Sequence, residues 1–352
     1  MRSNGRLLRY FGGADYLGLG RHTEVLEAMR GALDAGAVHP GASRATTGEQ
    51  ILYRRVERAI ARWVRRPGAV LLPCGSLAPR AAVQALGGQV THLLLDERAH
   101  ACVAEAAVLS RLPTIQFPGG DVGALRQCLE TLPPAARPLV LCDGVMALQC
   151  RLSPLDGYLA ALPRGGWLLV DDSHGLGVTG PGGRGTVAHF RLNDSRIVQV
   201  FSLSKAVGVA GGAVAGSSHL MARIRCGVPV FVGATAPPYT VVAGVLAALR
   251  ILRTRPGRVA TLASRARELH ARLPPHPELA CSREVPVVVA TPASAHGVRA
   301  LHRSLRKAGI YPTWICYPGG PAGGFLRMAL NVGHSREDVD LLAAAIREGL
   351  ER

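Results

Sequence analysis

Lysine is almost missing from this chain. Among 352 residues it occurs only as Lys205 and Lys307, although lysine and arginine together number 41. Acids are sparse as well, 24 in all, and the formal net charge is +17 at pH 7. That excess does not read as a nucleic-acid footprint, because the arginines are scattered along the chain rather than gathered in one stripe. Arginine, alanine, glycine and valine all run high together, a bias of the whole composition. A positive surface still favours acidic partners such as a phosphorylated cofactor, coenzyme A or an acyl carrier protein. Long apolar runs are missing too: none approaches ~20 residues, so no membrane span is expected. The N-terminal MRSNGRLLRYFGG has no sustained apolar stretch and no small-residue cleavage site, which argues against secretion. Eight cysteines occur without a CxxC or a Cys/His ligand spacing, so no metal site is expected. Several lie in apolar runs such as VLCDG and TWICY, as buried thiols of a cytoplasmic protein do.

What is present is an alternation of two periods. Short apolar runs at Ala69–Pro73, His92–Leu95, Thr114–Phe117, Leu139–Cys142, Trp167–Val170, Ile197–Phe201 and Gly212–Ala215 read as buried strands. Segments between them, such as Leu77–Leu86 and Val122–Leu132, carry helical spacing. Strands separated by helices predict an α/β fold with a mostly parallel sheet flanked by helices. An N-terminal arm over 1–38 is expected to precede this large domain, which runs over 39–244. A long helix at Thr240–Arg253 leads into a smaller α+β C-terminal domain, 245–352. There the pattern predicts helices at Val259–Leu273, Ala295–Ala308 and from Ser335, with a strand at Val285–Ala290.

Ligands of such sheets bind beyond the carboxyl ends of the strands. The stretch WLLVDDSHGLGVTG, Trp167–Gly180, ends an apolar strand in paired aspartates followed by a histidine in a glycine-rich turn. Lys205 follows another strand in QVFSLSKAVGVAGG, between small residues. A lysine there can be desolvated and its amine made nucleophilic, as a Schiff base with an aldehyde cofactor requires. Arginine cannot form that bond, so a lone lysine in a chain that otherwise uses arginine is informative. Lys307 sits on an amphipathic helix and reads as a solvated cation. Pyridoxal phosphate also needs a carboxylate near its ring nitrogen. Asp171 is the candidate, with Asp172 turned to the opposite face for structural hydrogen bonds. Its phosphate needs backbone N–H groups at a helix start, which Gly75 and Ser76 supply before the helix from Leu77. Ser202 adds a hydroxyl. His100 is a candidate for stacking on the ring, although a lone histidine there more often caps a helix. His174 suits the cofactor's phenolic oxygen or, alternatively, the stabilisation of its turn.

The ordered segments ADYLGLG (14–20), CGS (74–76), DERAH (96–100), DDSHGLGVTGPGGRG (171–185), SLSK (202–205) and FLRMALNVGH (325–334) resemble the α-oxoamine synthases. These are fold-type I pyridoxal-phosphate transferases, and the resemblance spans nearly the whole chain. It implies that Lys205 carries pyridoxal 5'-phosphate covalently and that Asp171 pairs with the pyridine nitrogen. It further implies that His174 meets the phenolic oxygen, His100 stacks on the ring, and Gly75, Ser76 and Ser202 surround the phosphate. Asp143 stands at the cofactor where the family usually has a glutamate, and Arg327 matches the arginine that grips the substrate carboxylate. Thr235, in VGATAPPY, matches the segment that reaches the neighbouring subunit's phosphate in a homodimer with interfacial active sites. Around these positions the chain departs from the family pattern at Ala14, Pro79, Ala147, Gln149 and Arg151.

The implied reaction condenses a small α-amino acid with an acyl thioester, carried by coenzyme A or an acyl carrier protein. Carbon dioxide leaves and an α-amino ketone remains. The same lysine, aspartate and histidine also suit an aminotransferase, a decarboxylase or a retro-aldol lyase. A catalytically silent partner subunit is the non-enzyme alternative, and the presence of Lys205 argues against it.

Overall fold

The computed structural model describes residues 1–3, 5–316, 321 and 323–351. Contacts divide the chain into two units. One consists of Leu19–Met146 and Leu152–Arg255, the other of Met1–Gly18, Ala147–Arg151 and Pro256–Arg352. No helix among the described residues is long and apolar enough to cross a membrane.

The larger unit is built on seven strands: β1 (Gly68–Leu72), β2 (His92–Asp96), β3 (Thr114–Phe117), β4 (Pro138–Asp143), β5 (Trp167–Asp171), β6 (Ile197–Ser202) and β7 (Gly212–Gly216). Their order across the sheet is β1-β7-β6-β5-β4-β2-β3. The pairs among β2 to β6 are parallel, and β7 runs antiparallel to both β6 and β1. Parallel neighbours cannot be joined by a tight hairpin. Helices Leu77–Ala85, Ala101–Ser110, Val122–Glu130 and Leu155–Ala161 make the crossovers.

The strands match the apolar runs seen in the sequence to within a residue or two at each end, because both faces of the sheet are covered. Every residue of β4 is buried. Alternate residues nevertheless serve different cores. Leu139, Leu141 and Leu169 pack with the alanine-rich helices Leu77–Ala85 and Ala101–Ser110. Val140, Cys142, Leu168 and Val170 pack on the opposite face with Leu125, Leu155 and Tyr158. The consequence for the site is geometric. Five parallel strands end at the same edge, and their last residues include Asp96, Asp143, Asp171 and Ser202.

The smaller unit holds a four-stranded antiparallel sheet of β8 (Leu279–Cys281), β9 (Val287–Ala290), β10 (Thr313–Ile315) and β11 (Phe325–Ala329), ordered β8-β9-β11-β10. Helices Gly257–Arg272, Ala295–Lys307 and Arg336–Leu350 accompany it. The start of the chain is part of this unit. Arg9 and Tyr10 pair in parallel with Ile310 and Tyr311. The Phe11 ring stacks on His334 with centroids 4.1 Å apart.

Strand β1 lies at the edge of the large sheet, where unpaired backbone groups invite association. Charged side chains cover it. Glu57 Oε1 accepts from Leu71 N at 2.9 Å, Arg44 donates to Leu71 O at 3.2 Å and Arg225 donates to Ala69 O at 2.9 Å. Glu57 is itself gripped by Arg44 at 2.8 Å and Arg225 at 2.6 Å, and its side chain is only 3% exposed. Replacing Glu57 by alanine strips the partly buried Arg225 of its carboxylate and leaves the buried Arg44 with Glu49 alone. The expected loss is about 3–5 kcal/mol of unfolding free energy, read from urea denaturation. A loss below about 1 kcal/mol, the range of exposed pairs, would show that this cluster does not hold the edge.

Candidate active site

The paired aspartates at the end of β5 face different environments because successive strand residues point to opposite faces. Asp171 turns toward the carboxyl edge, where its Oδ1 accepts from Ser173 N at 3.0 Å. Asp172 is fully buried. It accepts from Thr186 N at 2.9 Å, from Thr186 Oγ1 at 2.8 Å and from Gln199 Nε2 at 3.2 Å. A Cβ at Gly175 or at Gly185, whose φ is +92°, would run into the Asp172 carboxylate. So the glycine-rich run after the aspartates wraps an anion that belongs to the protein. Behind it, Arg66 Nε donates to Gln199 Oε1 at 3.0 Å. Burial pushes Asp172 up to about 6, although the donors from Thr186 and Gln199 pull the other way.

Eight of the residues singled out in the sequence surround one pocket at the carboxyl edge. Lys205, Asp171, Asp143, His100 and His174 provide its titratable groups, and Gly75, Ser76 and Ser202 line it too. The pocket holds a cavity of about 150 Å³ and opens to solvent.

His100 is tied down from two sides. Its backbone N–H donates to Asp143 Oδ1 at 3.0 Å. Its Nδ1 accepts from Cys102 N at 3.3 Å, capping helix Ala101–Ser110. The capping and pocket-lining readings of this histidine therefore coexist, and in the neutral ring the proton sits on Nε2. Asp143 and Asp171 are directly paired across β4 and β5. Burial, and then the charge of Asp171, push Asp143 well above the usual carboxylate value. Asp143 therefore keeps its proton more readily than a solvated carboxylate does.

On the other side, Ser202 N donates to Ser173 Oγ at 2.7 Å, and the Ser202 and Ser204 hydroxyls lie 2.8 Å apart. Gly75 approaches this turn so closely that a Cβ on it would sit 2.6 Å from Ser202 Cβ and 2.8 Å from its Cα. Ser76 heads helix Leu77–Ala85 without a side-chain cap bond, and Pro79 has no N–H to satisfy. Ala78 N donates to Gly75 O at 3.0 Å, which leaves the Ser76 and Leu77 amides for an anion.

Two members of the pocket were not anticipated, Cys102 and Ser173. Ser173 shares the face of Asp171 by simple alternation, and that signal was available. Cys102 lies two residues past His100, with its sulfur 3.0 Å from His100 Nδ1 and 3.8 Å from Asp171 Oδ2. Burial, followed by the charges of Asp171 and Asp143, pushes its thiol up to about 12, which leaves it a weak donor and not a thiolate. Thr235 does not line this pocket. It forms an isolated antiparallel bridge with Ser43. Arg327 is a residue of the smaller unit, on β11, where its Nη2 donates to the buried Tyr16 hydroxyl at 3.0 Å. Among the described residues no cluster of His, Cys, Asp and Glu is arranged to hold a metal ion.

The raised Asp172 carries a pH signature. Its folded-state value exceeds its unfolded one, so its contribution to stability is full below the ordinary carboxylate range. That contribution is lost as pH rises through about 6. Asp172→Asn carries no such titration. The stability of the native chain relative to this variant is expected to fall by about 2–3 kcal/mol between pH 4 and pH 7, measured as urea midpoints. A difference that stays constant or grows with pH would overturn this account of Asp172.

A family model for aminotransferase class I and II matches residues 11–346. The 8-amino-7-oxononanoate synthase of Nitrosospira multiformis is 32% identical over 348 residues, covering 98% of this chain and 87% of that protein. The enzyme of the same name from Pseudomonas putida is 34% identical over 362 residues, covering 98% and 89%. Serine palmitoyltransferase of Sphingomonas wittichii superposes with a TM-score of 0.91 at 26% identity, covering 98% of this chain and 88% of that one. With the pocket, the sheet order and these relatives in agreement, the chain belongs to the aminotransferase class I and II family of pyridoxal-phosphate enzymes, in its α-oxoamine synthase branch.

Proposed function

We propose that this protein condenses a small α-amino acid with an acyl thioester, with loss of carbon dioxide, to give an α-amino ketone. The observation that carries this reading is the meeting of the chain's one non-helical lysine, Lys205, with Asp171, His100 and the Gly75–Ser76 turn around a single pocket. The donor set fits pyridoxal phosphate. It offers an amine for the aldehyde, a carboxylate for the pyridinium, imidazoles for the ring, and amides with hydroxyls for the phosphate. Gly75 adds a close approach that no side chain permits. When bound, the cofactor supplies an electron sink for negative charge at the amino acid's α-carbon.

The chain's own groups do the rest. Lys205 would hold the cofactor through its amine, and the same amine would serve as the base for the proton at the amino acid's α-carbon. Asp171, its carboxylate fixed by Ser173 N–H, would favour a protonated pyridine nitrogen. His174 would serve the phenolic oxygen. His100, anchored through Asp143 and Cys102, would hold the ring and limit water there. The amides after Gly75 and the hydroxyls of Ser76 and Ser202 bind the phosphate. Arg327 presents a forked donor for the substrate carboxylate, and its hydrogen bond with Tyr16 sets the orientation of that fork. In this reading the protein is a cytoplasmic homodimer with interfacial active sites, in which Thr235 serves the neighbouring subunit's phosphate. The acyl group arrives on coenzyme A or on an acyl carrier protein.

The purified protein is expected to be coloured, with an absorbance band that borohydride abolishes and that Lys205→Ala lacks. Given an amino acid and an acyl thioester, it should release free thiol and carbon dioxide together. Lys205→Ala should lower that rate by about 10³-fold. A colourless protein that takes up no cofactor defeats the proposal. Release of carbon dioxide without thiol assigns a decarboxylase instead.

Gly75→Ala tests the phosphate turn. Its methyl forces the turn away from Ser202, and the expected rise in the dissociation constant for pyridoxal phosphate is about tenfold, with circular dichroism unchanged. Unaltered cofactor affinity would remove Gly75 from the binding site.

A further inference from the structure

A second concave surface lies in the smaller unit. Ser3, Arg6 and Leu8 from the start of the chain and Arg303, Arg306 and Lys307 from helix Ala295–Lys307 line an open groove of about 630 Å³. The helix reads AHGVRALHRSLRK and contains no acid, and no acid precedes Asp15 at the other wall. Sequence scatter hid this cluster, since Arg6 and Arg303 lie at opposite ends of the chain. Among the described residues, Arg6, Arg303, Arg306 and Lys307 form no ion pair with a carboxylate.

The groove has one rigid cation and several free-standing ones. Arg306 is fixed by a hydrogen bond to Ser3 Oγ at 2.8 Å and lies over the Tyr311 ring at 5.5 Å. Arg6, Arg303 and Lys307 are exposed. Arg299, Arg303 and Lys307 are four residues apart and make a row along the helix. That row is turned away from the buried stripe of Val298, Leu301 and Leu305, and at 1.5 Å rise per residue it extends about 12 Å. The His302 imidazole, between them, is held below its ordinary value by burial first and by the charge of Arg306 second. The residues that line the groove thus bring four cations together and include no carboxylate. The one apolar residue in the lining is Leu8, which is buried.

We propose that this groove is the docking surface for an acidic protein that carries the acyl thioester, and that it accepts a helix with carboxylates at i, i+4 spacing. The features favour a protein over a small phosphorylated molecule. Arg299, Arg303 and Lys307 form a row rather than converging on one point, and most of the groove's cations stand in solvent rather than closing over a ligand. A duplex nucleic acid calls for a longer basic track than one short row. The identity of the partner as thioester carrier rests on the reaction proposed above, whereas its acidity rests on the groove alone.

The test uses the full-length chain and a bacterial holo acyl carrier protein as probe, with binding followed by fluorescence anisotropy at low and moderate salt. The double variant Arg303→Glu with Lys307→Glu is compared with Arg62→Glu with Arg126→Glu, which makes the same change in net charge in the other unit. The groove variant is expected to weaken carrier binding by about tenfold or more, and the control by less than about twofold. Free coenzyme A should bind both variants equally. Equal carrier affinity in the two variants overturns the proposal, as does a wild-type chain that binds no carrier. Loss of coenzyme A binding in the groove variant reassigns the groove to phosphate, and tighter binding of a short DNA duplex through the same residues reassigns it to nucleic acid. The absorbance test of the pocket is independent: a colourless chain that still binds the carrier through the groove defeats the reaction and not the surface.

Discussion

The parallel pairing of β4, β5 and β6 is the constraint from which the site follows. Because these neighbours run in one direction and pair in register, Asp143, Asp171 and Ser202 arrive at the same edge. A sheet buried on both faces cannot accommodate polar side chains along its strands without partners, so it admits them where the strands stop. The crossover helices then start at that same edge. That is why the Gly75–Ser76 turn and the His100 cap face the strand-end carboxylates.

The two aspartates after β5 show how one strand end serves packing and chemistry together. Asp171 is left facing the pocket, with a backbone amide and a weak thiol donor near its oxygens. Asp172 is enclosed by glycines and by Thr186 and Gln199, and it holds the loop from residue 172 to residue 186 in place. His174 lies within that loop. The burial that raises the Asp172 value to about 6 is the energetic cost of anchoring it.

Arginine does several jobs here that lysine does less well. Arg44 and Arg225 bind both a carboxylate and strand carbonyls, and Arg44 also lies 4.7 Å from the Tyr53 ring centre. Arg66 reaches Gln199 and the Asp194 carbonyl within the core. A planar, forked cation suits such shared contacts, whereas a compact ammonium does not. The formal charge of +17 therefore overstates what a partner meets, because part of it is built into internal networks.

Local patterns in the sequence determined the strand and helix segments, since each follows from a period of two or of 3.6 within a few neighbouring residues. They also marked Lys205, the Asp171–Asp172 pair and the Gly75–Ser76 turn, because each sits beside the end of an apolar run. Other features depend on residues that meet only after folding. The reversal of β7, the capture of the β1 edge by Glu57 and its arginines, the thiol of Cys102 near Asp171, and the union of residues 1–18 with the C-terminal unit are of this kind. So is the basic groove, whose two walls lie some three hundred residues apart in the chain. Such contacts carry no local period. They are chosen by burial and by the pairing of charges across the folded chain, and only the tertiary structure decides them.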